Sequence, residues 1–576
     1  MKKLIKEILG IISLSGNKLK INLVYLIILG TILESLSIGL VVPLVVILSK
    51  GTTAYTKPVM KVFTGLTGIH SYWVFLTFAL TSITLFYLFK TIFLVVVSAK
   101  QSKFVFGLEV KISDKLLRTY LDQPYEFHLQ KNSAQLTTNI YSEVKQLSST
   151  INQGLNLLSE MLVLCLLSMI LLYFQPLATL FAVVFLGITI FIFIRSIRSR
   201  LGALAINRQK NDAARVKTLS NILMNVKDIK LYGRNNTFSA NYHENTVQST
   251  NAFMQYAKVQ KLPSLWLEFI AVVTLMVLIG VMIFHGNTLL SIVPLLSLFA
   301  AAMFRVLPSV TRISSAYQII KLYTPVVHTV YAELNTKQEL SSDNTDDTQQ
   351  LLFKNKIVVE NLKFTYQGTQ KSLFDNINLT INKGEYVGFI GQSGCGKSTL
   401  IDIIIGLLNP QGGSVKVDGI NIKGSLRGWQ NQIGYVAQTI NLIDDTLASN
   451  IALGVPSQEI NLANLNQAII DARLENFINE LPDGVNTMIG ERGVRLSGGQ
   501  RQRIGIARAL YHRPTVLVFD EATSALDTNT EAEIMRSINL LKSKETILFV
   551  THKNSLLKDC DVVYEINNDK VVSTPV

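Results

Sequence analysis

Nine consecutive residues, Gly391-Gln392-Ser393-Gly394-Cys395-Gly396-Lys397-Ser398-Thr399, have the types and spacing that hold phosphate. The glycines free the backbone to wrap N–H groups around an anion at the start of a helix, where the helix dipole also favours negative charge. In this pattern Lys397 reaches the β- and γ-phosphates, and the Ser398 hydroxyl ligates Mg²⁺. The flanks agree: Tyr386–Ile390 reads as a strand leading in and Leu400–Leu408 as a helix leading out. Downstream, Val516–Phe519 reads as a buried strand ending in Asp520 and Glu521. Asp520 suits the Mg²⁺ shell, and Glu521 suits a base that orients water toward a γ-phosphate. Two acids ending a strand are by themselves as readily structural. Beside a phosphate loop they point to ATP and Mg²⁺ as the ligands.

Leu496-Ser497-Gly498-Gly499-Gln500, followed by Arg501-Gln502-Arg503, lies between these two motifs. A glycine-rich helix start can be a plain anion nest. At this distance from both motifs, the pentapeptide resembles the signature of ATP-binding cassettes. The resemblance implies that Ser497, Gly498, Gly499 and Gln500 meet nucleotide held by the other cassette of a dimer. It also implies roles for Tyr366, 25 residues before the phosphate loop, as an adenine-stacking ring, and for Gln438 as a sensor of Mg²⁺ and the membrane domain. Thr487–Gly493 is similar to the loop that meets coupling helices, and Ser524-Ala525-Leu526-Asp527 to the dimer-contacting loop. His552 stands where the family places its γ-phosphate switch, in Thr551-His552-Lys553 rather than the frequent Ala-His-Arg.

The elements that must position this chemistry begin near residue 351, where short β-branched runs alternate with amphipathic stretches, the pattern of an α/β domain. What precedes it has another character. The chain has 576 residues, 48% of them hydrophobic and 16% charged, with a mean hydropathy of +0.33. A soluble domain carries about 25% charged residues. Residues 1–340 hold 32 basic and 14 acidic side chains, a net +18, against 22 and 26, a net −4, in residues 341–576. The basic excess thus belongs to the greasy half and reads as membrane topology, not nucleic-acid affinity. Cys165, Cys395 and Cys560 are too few and too scattered for a disulfide scaffold or a zinc site.

Six apolar runs, Ile21–Ile47, Tyr72–Val97, Leu155–Leu172, Leu177–Ile194, Leu265–Phe284 and Leu289–Leu307, are long enough to cross a bilayer. Two long connections, of 57 and 70 residues, carry seven and twelve Lys/Arg, and the short ones Tyr173–Pro176 and His285–Thr288 carry none. The positive-inside rule puts the long connections and both termini in the cytoplasm. Lys18 and Lys20 interrupt any signal-peptide pattern, and Met1–Leu14 reads as a basic amphipathic helix on the membrane. Helical periodicity in Val105–Leu121 and Leu201–Leu223 extends the spans into the cytoplasm, with breaks at Asp122–Tyr125 and Leu231–Arg234. In the outer loop, Pro58–Ile69 has the spacing of a short helix.

Six spans ahead of one cassette resemble an ABC half-exporter. The expected fold is a membrane α-helical bundle of six transmembrane helices plus a C-terminal α/β P-loop nucleotide-binding domain. The expected divisions are a membrane domain at 1–333, a linker at 334–350 and the cassette at 351–576. The resemblance implies a homodimer with two composite ATP sites in a bacterial inner membrane. Importers, with separate cassettes, and peptidase-fused exporters, with an early catalytic Cys, do not match. Stretches Glu34–Pro43, Phe86–Lys90, Trp266–Glu268 and Arg305–Ser309 are similar to flippases for polyprenyl-diphosphate-linked oligosaccharides. Alternatives are a lipid A-type or multidrug lipid exporter, a peptide exporter, and a nucleotide-gated channel. Lys90 and Arg305 fall inside apolar spans, where a charge is costly unless it meets a partner or a cavity. They either pair with Glu34 and Glu268 or receive an anionic headgroup. Ser264 stands where the family can have a further cation.

Overall fold

A computed structural model describes residues 2–16, 21–50, 65, 72–174, 176–284, 289–336, 351–369, 371–490, 496–522, 531–532, 536, 545–551, 554–567 and 570–575, with only the backbone of several helical stretches, among them 41–50 and 289–305. It divides into two units: Met1–Asp122 with Gln130–Lys337, and Gln123–Leu129 with Gln338–Val576.

The first unit is helical. Its elements are α1 (Lys2–Leu14), α2 (Ile21–Lys50), α3 (Tyr72–Leu121) and, past the short α4 (Tyr125–Gln130) that groups with the second unit, α5 (Ser133–Thr138). They continue with α6 (Val144–Phe174), α7 (Pro176–Met224), the short α8 (Val226–Leu231), α9 (Asn235–Phe284), α10 (Leu289–Leu322) and α11 (Thr324–Leu334). Each of the six apolar runs lies in its own long helix. The polar periodic stretches continue the same helices, so α3, α7 and α9 reach 49 or 50 residues. The expected breaks hold short helices: α4 follows Pro124, and α8 is closed by Gly233 in a left-handed conformation. α7 packs along α9, and α6 along α10. In the Leu76–Leu121 stretch, an 18-residue window of mean hydropathy 2.1 is only 6% buried. Burying such a surface in lipid removes the cost of exposing it to water. The outer-loop helix expected at Pro58–Ile69 lies outside the described residues, except Gly65.

α1 packs on α11, with Glu7 buried and 2.6 Å from His328 Nδ1. The Lys115 ammonium donates to the carbonyl of Leu14, one of the carbonyls that a helix end leaves open. The charged groups of the cytoplasmic extensions also gather. The Arg208 side chain is 1% exposed, meets Asp212 at 3.3 Å and lies over the Tyr323 ring at 4.8 Å. Gln209 donates to Glu143 at 2.9 Å and to Thr329 at 3.1 Å. Glu143 ends a π-helical turn, Asn139–Glu143, which leads into α6.

The second unit carries two sheets. Strands β1 (Lys356–Phe364), β2 (Phe374–Asn382), β4 (Gly412–Val417) and β5 (Ile420–Asn421) form an antiparallel sheet in the order β2-β1-β4-β5. The other holds β3 (Tyr386–Ile390), β6 (Ile433–Val436), β7 (Val516–Asp520), β8 (Thr546–Val550), β9 (Val562–Asn567) and β10 (Lys570–Pro575), in the order β10-β9-β3-β8-β7-β6. Its strands are parallel except at β10. Strand alternation splits the core in two. Leu517, Phe519, Ile547 and Phe549 join one cluster, and Val516, Val518, Leu548 and Val550 the other. Both faces are covered, as a parallel sheet requires.

Candidate functional site

The carboxyl ends of β3, β6, β7 and β8 lie along one edge of the large sheet, where open α/β sheets place their ligand sites. From the end of β3 the chain enters Gly391–Gly396 and then α12 (Lys397–Ile404). Gly391 has φ 152°, and a Cβ there would stand 2.5 Å from the Ile566 carbonyl oxygen. Gly396 has φ 103°, and a Cβ would stand 2.7 Å from the Phe374 ring. Both positions require glycine, so the loop keeps its backbone N–H groups uncovered by side chains. The Lys397 ammonium, buried, donates to the carbonyls of Gly391 at 3.0 Å and Gln392 at 3.1 Å. It therefore spans the loop that would hold phosphate. Cys395 is half-buried within the turn, while Ser393, Gly394 and Ser398 are exposed.

Ser398 donates to Asp520 Oδ1 at 3.0 Å, joining the loop to the end of β7. Tyr435 of β6 donates to Asp520 Oδ2 at 3.2 Å. Burial pushes the Asp520 carboxyl above the usual range, and these two hydroxyl donors oppose it. Gln438, two residues past β6, donates to Glu521 Oε2 at 2.7 Å. Glu521 itself has φ 48°, the left-handed region that a non-glycine residue enters at a cost of about 1–3 kcal/mol. Its N–H is held by the Val550 carbonyl at 3.1 Å, so β8 fixes the strained turn. The Tyr366 and Thr399 hydroxyls share a hydrogen bond of 2.9 Å, which brings the half-buried Tyr366 ring to the start of α12.

Ser398 and Asp520 are hard oxygen donors, fitting Mg²⁺, which usually keeps waters and takes few protein ligands. Among the described residues no group of three or more His, Cys, Asp or Glu could hold a metal alone.

Ser497 caps helix α13 (Gly498–Leu510), accepting from the Gln500 N–H at 3.2 Å while Gln500 Oε1 accepts from the Ser497 N–H at 2.8 Å. This capping box fixes the exposed Ser497 and Gly498 at the head of the helix. Its hydrogen bonds stay within the signature and do not reach the phosphate loop. Thr487 and Ile489 pair back onto Asp445–Leu447, anchoring one stretch of the exporter-type loop to the segment that follows Gln438. Ser524–Asp527 and His552 lie outside the described residues, as do residues 491–495.

Two residues escaped the reading of the sequence, Tyr435 and Asp402. Burial, then the nearby Asp520, pushes the Asp402 carboxyl up to about 6. Both left a signal. Asp402 is four residues from Ser398 on one helix face, and Tyr435 stands opposite Val518 in parallel register, two residues from Asp520. Tyr125 of α4, clustered with this unit, lies within electrostatic reach of Asp402, Tyr366 and Tyr435.

With this geometry in hand, the comparisons with known proteins are direct. Residues 38–307 match the ABC transporter transmembrane region, and residues 374–524 match the ABC transporter family. The chain belongs to the ABC transporters. It is 27% identical over 476 residues to an ATP-dependent lipid A-core flippase of Thiobacillus denitrificans, covering 82% of this chain and 80% of that protein. An uncharacterized ABC transporter ATP-binding protein of Bacillus subtilis is 40% identical over 248 residues. A putative multidrug export ATP-binding/permease protein of Staphylococcus aureus is 41% identical over 223 residues. Those two matches span 42% and 38% of the relatives' own length. The fold is similar to a solved bacterial Atm1-family ABC exporter with ATP bound, at a TM-score of 0.77 and 21% identity over 92% of this chain and 93% of that one. An exporter-type membrane region fused to a P-loop domain is therefore the architecture of this multi-pass membrane protein.

In the membrane unit, Lys90 donates to Ser37 Oγ at 3.1 Å and lies over the Tyr87 ring at 4.4 Å, and the Tyr87 hydroxyl donates to the Ser37 carbonyl. Glu268 is exposed on α9. The Arg305 side chain lies outside the described residues.

Proposed function

We propose that the chain is half of a homodimeric ATP-driven transporter, with the six spans in a bacterial inner membrane and both termini in the cytoplasm. The observation that carries this reading is the hydrogen-bonded pair of links, Ser398 to Asp520 and Gln438 to Glu521, which joins phosphate loop, metal ligand and base at one sheet edge. Lys397 would exchange its two carbonyl partners for β/γ-phosphate oxygens. Mg²⁺, held by Ser398 and Asp520 with Gln438 beside them, would supply charge neutralisation on those oxygens. Gln438 sets the orientation of the Glu521 carboxylate, which accepts a hydrogen bond from the attacking water and takes its proton. His552 would meet the γ-phosphate, and Tyr366 would stack on the adenine. Ser497 and Gly499 of one copy would close over nucleotide on the other, giving two composite sites per dimer. Glu521→Gln keeps the hydrogen-bonding shape but removes the base. ATP binding should survive while turnover falls at least about 100-fold. Wild-type turnover in that variant would remove Glu521 from the mechanism.

The substrate we favour is a polyprenyl-diphosphate-linked oligosaccharide. Support comes from Lys90, whose ammonium is oriented within an apolar span by Ser37 and Tyr87, and from Arg305 in a second span. A diphosphate offers Arg a bidentate fork and Lys a point charge. A lipid A-type or multidrug lipid substrate fits the relatives equally, since one is named a lipid A-core flippase.

A further inference from the structure

The Asp520 carboxylate is buried, 6% exposed, and each of its oxygens has its own hydroxyl donor. The two donors are not equivalent. Ser398 belongs to the phosphate loop, and its oxygen is itself a ligand for the cation. With a lone pair turned toward a metal its O–H can still donate to Oδ1, but that bond then moves with the loaded phosphate loop. Tyr435 belongs to β6, outside the loop. A neutral phenol is a poor Mg²⁺ ligand, so its bond to Oδ2 can persist in both states.

The lever behind that hydroxyl is stiff. The Tyr435 ring packs against the core cluster that contains Val516 and Val518, and β6 runs parallel to β7 with Tyr435 opposite Val518. The hydroxyl therefore reaches along the neighbouring strand to the carboxylate two residues on. Three residues later the same chain delivers Gln438 to Glu521 at 2.7 Å. One strand end thus orients both acidic groups, the metal ligand through Tyr435 and the base through Gln438.

Resting on the ATPase reading above, we infer that Tyr435 is a positioning residue whose hydroxyl anchors Asp520 Oδ2 and so sets the carboxylate plane that the divalent cation meets. Groups that orient metal ligands through hydrogen bonds commonly contribute about 10- to 100-fold in metal affinity. The weaker 3.2 Å contact places Tyr435 at the low end, on the order of 10-fold.

The test is Tyr435→Phe in the full-length protein, which removes one oxygen and keeps the ring in its packing. Mn²⁺ is titrated by electron paramagnetic resonance in the presence of a non-hydrolysable ATP analogue, and analogue binding is measured separately in EDTA. The expected result is Mn²⁺ affinity about 10-fold weaker with analogue affinity in EDTA unchanged. The Mg²⁺ concentration for half-maximal ATPase should rise by the same factor, while the rate at saturating Mg²⁺ changes little. Wild-type Mn²⁺ affinity in the variant overturns the inference. So does an equal loss of analogue affinity in EDTA, which would mean that the hydroxyl serves packing of the whole site. Failure of the wild type to bind either analogue or Mn²⁺ would instead overturn the ATPase reading.

Discussion

At the scale of single residues, Asp402 carries the clearest pH dependence outside the spans. Burial and Asp520 raise its carboxyl to about 6 from 3.8, so the folded protein binds this proton more tightly than the unfolded chain. A carboxyl with a raised pKa contributes stability at low pH and loses it as pH rises through about 6. Asp402→Asn removes that loss. Without nucleotide or metal, its thermal midpoint should match wild type near pH 4 and exceed it by a few degrees near pH 8, a gain of about 1 kcal/mol after discounting for solvent screening. An equal difference at both pH values would contradict this account. The phosphate loop and acidic pair could be read from the sequence because their chemistry is written in consecutive residues. Tyr435 could not, since its role depends on strand register between residues 85 apart in the chain. The left-handed turn at Glu521 was hidden for a similar reason: nothing in Phe519-Asp520-Glu521 announces a positive φ.

At the scale of elements, the cytoplasmic extensions of the membrane helices are held by a buried polar network. Arg208 faces two carboxylates, Asp212 on its own helix and Glu143 at the π-helical turn, while Gln209 ties Glu143 to α11. Burial raises the Glu143 carboxyl and Arg208 opposes that rise. Arg208→Ala would leave Asp212 without its ion-pair partner and Glu143 more reluctant to ionise. We expect a loss on the order of 3 kcal/mol, seen as a lower thermal midpoint in detergent, with the deficit growing as pH rises. A surface-like change of a few tenths of a kcal/mol would show that the network carries little. Apolar length revealed the helices themselves, and helical periodicity revealed their extension past the membrane. The π-helical turn had no such signal, because its five residues are too few for a periodicity to show.

At the scale of the whole molecule, the proposed homodimer has the signature of one copy complete the site of the other. Ser497→Arg, which places bulk at an exposed helix start, should leave binding of the nucleotide analogue intact and cut turnover at least about 100-fold. Retained turnover would argue against the composite site. Within the spans, Lys90 and Arg305 are expected to act on cargo rather than on ATP. Their joint replacement by Ala should leave basal hydrolysis within about twofold and abolish movement of a diphosphate-linked lipid. Rescue by a charge swap with Glu34 or Glu268 would instead assign the cations to holding helices together. The cassette motifs were legible because ATP chemistry allows few residue types. The cargo was not, since a lipid headgroup can be met by cations from many positions in a bundle.

The measurement closest to the central claim is translocation in proteoliposomes, with a fluorescent polyprenyl-diphosphate oligosaccharide and a lipid A-type lipid supplied in parallel, comparing wild type with Glu521→Gln. The account predicts movement of at least one of these anionic lipids that requires hydrolysable ATP and disappears in the variant. ATP-independent movement, or movement undiminished in Glu521→Gln, would contradict it.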